Sequence, residues 1–241
     1  MALVVGASRG IGAAIAEALG AAGAQVVVAA RSEQPGRLPG TVGEVAERIR
    51  AAGGDALPVR CDVTSEQSVA DAVATAVATY GGLDAVVYSA ARLSLTPTAR
   101  TSAERWEAVL RTNLTGAFLV TRAVLPHVVA RGRGSLIALT TTGVGMTHLG
   151  SNAYWVSKAG LERYYTGLAA ELAPHGIAVN CLAPTGVVLT EGWRASGGMD
   201  VPPELVEDVS VVAAAAVLLA QESPGGRTGG VHLSRDLVPL P

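Results

Sequence analysis

The chain has 241 residues, 18 basic and 20 acidic, giving a formal net charge of −2; 49% of its residues are hydrophobic. This composition excludes a disordered polar chain, and the near-neutral charge argues against a nucleic-acid-binding surface. The longest apolar run, residues 211–220, is too short to span a bilayer, and residues 1–5 read as a strand with no signal peptide before it. We therefore expect a cytoplasmic protein that binds neither membrane nor nucleic acid.

Short β-branched runs alternate with long Ala-rich stretches of helical periodicity along the whole chain. The strands have apolar residues at consecutive positions, which is typical of a parallel sheet covered by helices on both faces. The predicted strands are 3–6, 25–30, 56–61, 83–89, 135–140, 178–182 and 230–233. The predicted helices are 10–22, 42–52, 65–80, 103–130, 152–173 and 207–221. The sequence therefore predicts one α/β domain over residues 1–241, a doubly wound, Rossmann-like parallel sheet of about seven strands.

The turn after the first strand is rich in glycine and opens the first helix. Glycine permits positive φ and lets a pyrophosphate approach the backbone N–H groups at a helix N-terminus. A strand-to-helix junction of this kind in a first βαβ unit is typical of dinucleotide binding, although a tight turn without a ligand is the alternative. The predicted cofactor contacts in this turn are Gly6, Ser8, Arg9, Gly10, Ile11 and Gly12.

The end of the second strand indicates which dinucleotide is bound. NAD sites usually present an acidic residue there for the ribose 2′-hydroxyl, whereas this strand ends in Arg31 and Ser32. Arg31, with Arg9 nearby, would offer guanidinium groups to a 2′-phosphate. Solvated surface arginines are the alternative, but the pattern favours NADP(H).

The only lysine of the chain, Lys158, follows Tyr154 by four residues, so both lie on one helix face. A free phenol has a pKa near 10, and an adjacent ammonium is expected to lower the pKa of Tyr154. Tyr154 would then serve as a general acid or base. A compact ammonium on a flexible stem is poorly replaced by Arg, which explains why one Lys persists among 17 Arg.

Cys61 and Cys181 each lie in a short apolar run. We expect two buried, reduced thiols, with a disulfide or redox role as the alternative. The four histidines are far apart and no CxxC motif occurs, so no metal site is predicted.

Taken together, the GxxxGxG turn at residues 6–12, the CDV at 61–63, Asn113 in NLTG and the YxxxK at 154–158 resemble the short-chain dehydrogenase/reductase family. The resemblance covers essentially the whole chain and is strongest for NADP(H)-preferring ketoreductases. It implies that Tyr154 is the catalytic acid/base, that Lys158 holds the nicotinamide ribose hydroxyls, and that Asn113 kinks its helix and supports a proton relay. The other cofactor contacts that the resemblance implies are Asp62, Val63, Ser89, Ala90, Pro184, Val187 and Thr190.

Several positions depart from the family pattern. The Ser that polarises the substrate carbonyl is replaced by Thr141, with Thr142 as the alternative assignment. The usual Asn-Asn-Ala-Gly loop reads YSAA at residues 88–91, a residue is inserted after Pro184, and the terminal Asp-Gly-Gly is absent from residues 231–236. We therefore expect the support beneath the cofactor to be rebuilt.

A segment at about 190–206 is expected to cover the substrate, with glycines at 197 and 198 as a hinge and prolines at 202 and 203 as a stop. The side chains available for the pocket are largely apolar, which favours a hydrophobic ketone or cyclic substrate. The candidates are Leu93, Leu95, Met146, Leu149, Trp155 and Trp193, and plain packing is the alternative for Trp155 and Met146.

The leading functional hypothesis is NADPH-dependent reduction of a carbonyl to an alcohol, or the reverse. One alternative is action on C=N or C=C bonds, or a non-redox cyclisation or isomerisation, which the changes at Thr141 and residues 88–91 motivate. A non-catalytic dinucleotide-binding scaffold is the third hypothesis. The long helices at 106–130 and 152–173 resemble the oligomer helices of the family, so we expect a homodimer or homotetramer.

Overall fold

The computed structural model describes residues 1–34, 36–145, 150–198, 200–222 and 225–239. Within these ranges one parallel sheet of seven strands has the order β3-β2-β1-β4-β5-β6-β7. The strands are β1 (Ala2–Val5), β2 (Gln25–Ala30), β3 (Asp55–Arg60), β4 (Ala85–Tyr88), β5 (Gly134–Leu139), β6 (Ile177–Ala183) and β7 (Val231–Leu233). The helices are α1 (Gly10–Ala21), α2 (Val42–Ala51), α3 (Glu66–Tyr80), α4 (Ala103–Leu110), α5 (Gly116–Arg131), α6 (Asn152–Leu172), α7 (Glu191–Ala195), α8 (Val209–Ala220) and α9 (Ser234–Leu237). The predicted Rossmann-like fold is confirmed.

Two hydrophobic clusters, one on each face of the sheet, form the core. Successive residues of β1 point to opposite faces, so that Leu3 and Val5 join the cluster beneath α3, α5 and α6. Ala2 and Val4 join the cluster beneath α1, α2 and α8. Burial on both faces explains why the strands have no alternation of polar and apolar residues.

The strand order reverses between β1 and β4, where the chain crosses from one half of the sheet to the other. In open parallel sheets, ligands bind in the crevice outside the carboxyl ends of the strands at such a switch point. The turn after β1, the loop after β4 and the loops after β5 and β6 all open at this edge. The fold therefore brings the predicted site residues to one side of the sheet.

The predicted helix at 103–130 is interrupted, because a π-helical turn at Arg111–Thr115 separates α4 from α5. Single π turns are rare within helices and occur often at functional sites. The short helices α7 and α9 were not predicted, since four or five residues carry too little periodicity to be recognised. The remaining elements agree with the predicted ones to within about two residues.

The helical stretch Ala103–Arg131 is long and apolar enough to cross a membrane by length and composition alone. A single helix of this kind is weak evidence, and Ala117, Val120 and Val124 of α5 are buried in the core beneath the sheet. Core packing therefore accounts for part of the apolar character of this stretch, in which 39% of an 18-residue apolar window is buried. Cys61 and Cys181 are both buried and free, as predicted.

Candidate active site

The turn between β1 and α1 is packed against the loop that follows β4. Gly6 has φ +89°, and a Cβ built there would lie 2.4 Å from the backbone nitrogen of Ala90. A Cβ on Gly12 would lie 2.3 Å from the carbonyl oxygen of Gly6 and 3.1 Å from Ser89 Oγ. These two glycines allow backbone approaches that a side chain would block. Ser89 N also donates to Val5 O at 2.8 Å, so turn and loop form one unit.

The N-terminus of α1 has the properties of an anion site. Arg9, its N-cap residue, makes no side-chain capping hydrogen bond, and no acidic residue lies in the first turn. The first N–H groups of a helix have no intrahelical acceptor, and the helix dipole favours a negative group there. Ser8 and Ile11 flank this end, with Ser8 buried and Ile11 partly exposed. The donor set fits a dinucleotide pyrophosphate.

Arg9 is held in place beside Ser32, at the end of β2. Its guanidinium donates to Ser32 Oγ at 3.0 Å and to the carbonyl oxygens of Pro39 and Gly40 at 2.7 and 2.8 Å. Burial lowers the pKa of Arg9, Glu191 raises it, and the like charge of Arg31 lowers it, so all three charges lie within electrostatic reach. Arg31 is exposed. Arg9 and Ser32 are thus in contact at the end of β2, with the charge of Arg31 in electrostatic reach, where the sequence predicts a 2′-phosphate.

Asp62 and Val63 follow β3 at the same edge. Burial raises the pKa of Asp62, but hydrogen bonds from Thr64 and the charges of Arg31 and Arg60 outweigh burial and lower it. Thr64 donates to Asp62 Oδ1 through both its backbone N and its hydroxyl, at 3.0 and 2.7 Å. Asp62 is thereby kept ionised and fixed in position.

Lys158 and Tyr154 lie on the same face of α6. Lys158 is 2% exposed, and its Nζ donates to the carbonyl oxygen of Leu139 at 2.5 Å and lies 5.7 Å from the centre of the Tyr154 ring. Burial lowers the pKa of Lys158 to about 8, although Cys181 and Glu162 act in the opposite direction. An ammonium with so low a pKa is able to lose its proton close to neutral pH.

The expectation that the pKa of Tyr154 lies below that of a free phenol is wrong for this chain. Burial raises the pKa of Tyr154 to about 12, because desolvation disfavours the phenolate. Trp155 contributes to this environment, with its ring in an edge-on contact 5.1 Å from that of Tyr154. The phenol is therefore kept protonated, which suits a proton donor.

Asn113 lies at the centre of the π turn and is fully buried. Its Oδ1 accepts from Arg92 N at 2.7 Å, and its Nδ2 donates to Arg92 O at 3.1 Å and to Ser157 Oγ at 2.9 Å. Ser157 Oγ in turn donates to the carbonyl oxygen of Tyr154 at 2.7 Å. The Asn113 side chain thus links the loop after β4 to the helix that carries Tyr154, while its role in a proton relay stays a prediction.

Three threonines follow β5, and their surroundings differ. Thr140 is buried, and its hydroxyl proton is already used in a hydrogen bond to Glu162 Oε1 of α6, at 2.5 Å. Thr141 is partly exposed, and its Oγ1 accepts from Gly143 N at 3.2 Å. Among the residues that the structure describes, no acceptor takes its hydroxyl proton, which is therefore free to donate to a substrate carbonyl. Thr142, also partly exposed, begins the following 3-10 turn, and the choice between these two residues stays a prediction.

The segment after β6 contains Pro184, Val187 and Thr190, which are all partly exposed at the same edge. Thr190 caps α7, because its Oγ1 accepts from Trp193 N at 3.2 Å. Its methyl group lies beside Gly10, where an added Cβ would approach it to 3.1 Å. The segment is thereby brought against the N-terminus of α1.

Leu93 and Leu95 are partly exposed in the loop after β4. Trp155 covers Gly143, where a Cβ would meet its ring at 2.4 Å, and Trp193 covers Gly198 in the same way at 2.3 Å. Both indoles thus pack on glycines near the predicted pocket. Met146 and Leu149 lie outside the described residues.

Sequence reasoning missed several buried polar residues. Tyr88 is fully buried, and its hydroxyl donates to the carbonyl oxygen of Thr112 inside the π turn. Gly116 makes room for that hydroxyl, since a Cβ there would lie 2.5 Å from it. Tyr88 stands where the family usually has Asn, and this departure was a signal from which a special role of the side chain could have been predicted. No such signal marks the buried Glu207 or the partly exposed Glu162 and Glu191, because nothing in a helix or loop sequence shows what a carboxylate will contact.

Comparison with known proteins places this geometry in a family. The family model for short chain dehydrogenase matches residues 1–198. The chain therefore belongs to the short-chain dehydrogenase/reductase family, whose members are oxidoreductases.

Relatives of the chain include short-chain reductase protein NovJ of Streptomyces niveus, which is 37% identical over 95% of this chain and 90% of the relative. Hydroxysteroid dehydrogenase-like protein 2 of Danio rerio is 34% identical over 98% of this chain but only 57% of the relative. The chain spans about half the length of the hydroxysteroid dehydrogenase-like proteins that it matches.

Solved structures show the same architecture. A variant of actinorhodin polyketide ketoreductase with NADPH is 32% identical, with a TM-score of 0.85 over 96% of this chain and 94% of that one. Gluconate 5-dehydrogenase from Burkholderia cenocepacia, in complex with NADP and tartrate, is 29% identical, with a TM-score of 0.83 over 96% and 92% of the two chains.

Proposed function

We propose that the protein is an NADP(H)-dependent oxidoreductase that reduces a carbonyl of a hydrophobic small molecule to an alcohol, or catalyses the reverse reaction. The observation that carries the proposal is the pairing of Tyr154 with the buried Lys158 at the sheet edge where Arg9 is fixed against Ser32. In this proposal, Tyr154 serves as the proton donor and the surroundings of Arg9 and Ser32 serve as the 2′-phosphate site. When bound there, the nicotinamide cofactor supplies or accepts the hydride.

Each part of the cofactor has a matching set of residues. The pyrophosphate would lie on the N-terminus of α1, the 2′-phosphate between Arg9, Arg31 and Ser32, and the adenine beside Asp62 and Val63. The solved ketoreductase and gluconate dehydrogenase were both obtained with NADPH or NADP, which supports the same cofactor for this chain. Ser89, Ala90, Pro184, Val187 and Thr190 would border the nicotinamide half, where the Lys158 ammonium is within reach of ribose hydroxyls.

In the reductive direction, Tyr154 donates its proton to the carbonyl oxygen as negative charge develops on it. Burial keeps the pKa of Tyr154 at about 12, so the proton is present at all physiological pH values. The Thr141 hydroxyl, whose proton has no acceptor among the residues that the structure describes, donates a second hydrogen bond to the same oxygen. The Lys158 ammonium stabilises the phenolate that remains, because an opposite charge nearby favours the ionised form.

The proposed substrate side is predominantly apolar in its candidate residues. Leu93, Leu95, Trp155 and Trp193 are the described candidates for the pocket, and Tyr154 is the proton donor beside them. Such a lining favours burial of a hydrophobic ketone over a sugar phosphate, whose charges would be left unpaired.

The decisive experiment follows the loss of nicotinamide absorbance with a panel of hydrophobic ketones, using NADPH and then NADH. We expect turnover with NADPH, and we expect Tyr154→Phe to lower kcat by at least about 100-fold, the scale of general acid catalysis. NADPH fluorescence titration should give Tyr154→Phe nearly wild-type affinity. Retained turnover in this variant would exclude Tyr154 as the acid, and turnover confined to imines or enones would replace carbonyl reduction by the alternative chemistry.

We also propose a homo-oligomer built on α5 and α6. The apolar Phe118 and Val156, on these two helices, are 43% and 47% exposed. Light scattering coupled to size-exclusion chromatography would report the mass, and a monomer at micromolar concentration would contradict this expectation.

A further inference from the structure

Glu207 is a buried carboxylate that the proposed chemistry does not use. It lies two residues before α8, at the C-terminal end of the substrate segment (residues 190–206), and its side chain has 0% exposure. Its Oε1 accepts from Ser234 Oγ at 2.6 Å, its Oε2 accepts from Gly186 N at 3.1 Å, and Arg235 Nε lies 3.7 Å from Oε1. A buried charge is costly unless it is paired and hydrogen-bonded, so this arrangement is well specified.

The direction of each hydrogen bond follows from counting protons. Ser234 has one hydroxyl proton, which it donates to Glu207. The 3.1 Å contact between the Thr185 and Ser234 hydroxyls must then be donated by Thr185, whose Oγ1 also accepts from Arg235 N at 3.1 Å. Ser234 Oγ further accepts from Thr185 N at 3.0 Å. Each donor in this series of hydrogen bonds points toward the Glu207 carboxylate. The carboxylate therefore fixes the direction of the hydrogen bonds in the network.

The network lies on the segment that borders the nicotinamide. Val187 N donates to Leu205 O at 2.7 Å and Glu207 N donates to Val187 O at 3.0 Å, which closes the base of the substrate segment. Gly186 has no room for a side chain, since a Cβ there would lie 2.7 Å from Leu205 O. The two ends of the segment are thus joined by backbone contacts and locked by a single carboxylate.

We propose that Glu207 is a positioning residue, which holds residues 185–187 against the nicotinamide site and keeps the base of the substrate segment closed. The C-terminal segment lacks the Asp-Gly-Gly pattern, and its Ser234 relies on a carboxylate supplied from 27 residues earlier in the chain. The inference rests on the proposed function for its effect on NADPH, but the closed base itself is a property of the chain alone.

The first test uses the isosteric variant Glu207→Gln, which keeps the shape of the side chain and removes its charge. We expect the KM for NADPH to rise by about tenfold, the effect of losing one charge-assisted buried hydrogen bond, while kcat changes by less than about threefold. The matched control is Glu222→Gln, because Glu222 is also a poorly exposed carboxylate that binds a backbone N–H and a guanidinium, both of Arg227. It contacts neither residues 185–187 nor the substrate segment, so wild-type kinetics are expected.

The second test moves the carboxylate. Ser234→Asp places two carboxylates together and should raise the KM for NADPH at least as much as Glu207→Gln. In the double variant Glu207→Gln/Ser234→Asp, the new amide is able to donate to the new carboxylate, so the KM should return to within about threefold of wild type. If Glu207 has only a structural role, the increases in KM from the two single substitutions should add in the double variant. If the hydrogen bond is relocated, the KM of the double variant should return toward the wild-type value.

A third readout needs no cofactor. Arg194 is exposed in α7, within the substrate segment, and trypsin cleaves after it only when the segment opens. Cleavage at Arg194 should be about tenfold faster in Glu207→Gln than in wild type or Glu222→Gln, and the double variant should return to the wild-type rate.

If wild type fails to bind NADPH while this pattern holds, the proposed cofactor is wrong and the closed base stands. Wild-type cleavage and wild-type KM in Glu207→Gln would overturn the inference, as would a double variant that folds and is not rescued. If Glu207→Gln does not fold, Ser234→Ala provides the same comparison, with the same direction expected and a smaller change.

Discussion

The two halves of the proposed site consist of different kinds of groups. At the proposed phosphate end, the candidate binding groups are backbone N–H groups of one short turn and arginines near the surface, with Arg31 exposed. At the proposed catalytic end, the supporting groups are buried side chains from separate segments, such as Asn113 and Ser157, which lie 44 residues apart and are joined at 2.9 Å. A phosphate is recognised by positive charge and by N–H groups, whereas a proton donor has to be held in one orientation by buried, hydrogen-bonded neighbours.

The difference has a consequence for mutation. A change at the phosphate end should alter affinity and leave the fold intact, since exposed charges contribute little to stability. A change at the catalytic end should affect activity and stability together, because each buried polar group satisfies another.

Lys158→Arg should produce the largest effect. The Lys158 side chain is 2% exposed and its ammonium contacts Leu139 O at 2.5 Å, so a larger, planar guanidinium would have to displace the groups packed around it. We expect kcat to fall by at least about 100-fold. Lys158→Met, which lacks the charge but fits the space, separates packing from chemistry, and an active Lys158→Arg enzyme would show that the uniqueness of this Lys is only compositional bias.

The pH profile of the wild type gives an independent reading of the same group. Because burial lowers the pKa of Lys158 to about 8, the ammonium is present below that pH and lost above it. The rate of reduction should therefore fall as the pH rises through about 8. Tyr154 cannot cause this limb, since its pKa is raised to about 12. A rate that stays flat from pH 6 to pH 10 would contradict the role of the ammonium.

Arg31→Ala should act on cofactor choice and leave folding unchanged. Removing one exposed guanidinium from the 2′-phosphate site should lower kcat/KM for NADPH by about 10- to 100-fold, the worth of one charge-assisted contact, with little change for NADH. Arg133→Ala is the control, because Arg133 is also exposed and contacts Asp84 at the opposite edge of the sheet. An equal loss with both cofactors would mean that Arg31 does not read the 2′-phosphate.

The contrast also explains what could be predicted from the sequence. Strands and long helices follow from local periodicity, and the phosphate turn follows from contiguous glycines, so both were recognisable. Tyr154 and Lys158 share a helix, which brings them together at a fixed spacing. Glu207 and Ser234 lie 27 residues apart on elements with no common pattern, and their contact exists only in the folded chain. The pKa of Tyr154 was misjudged for the same reason, since burial is not visible in a five-residue motif.

Tyr88→Phe should have the smallest effect on turnover and a clear effect on stability. Tyr88 is fully buried, and its hydroxyl donates to the Thr112 carbonyl. The hydroxyl fits there because Gly116 has no side chain to occupy the same space. Removing the donor should cost about 1–3 kcal/mol of unfolding free energy, the price of an unsatisfied buried acceptor, measured by urea denaturation. Tyr80→Phe is the matched control, because Tyr80 donates to Asp55 at 2.9 Å in an exposed position and the loss of this hydrogen bond should cost less than about 0.5 kcal/mol.

Since the π turn also carries Asn113, a stability loss with kcat unchanged would show that Tyr88 supports the turn without orienting the catalytic helix. Equal stability losses in the two variants would instead show that burial of the Tyr88 hydroxyl does not increase its contribution to stability.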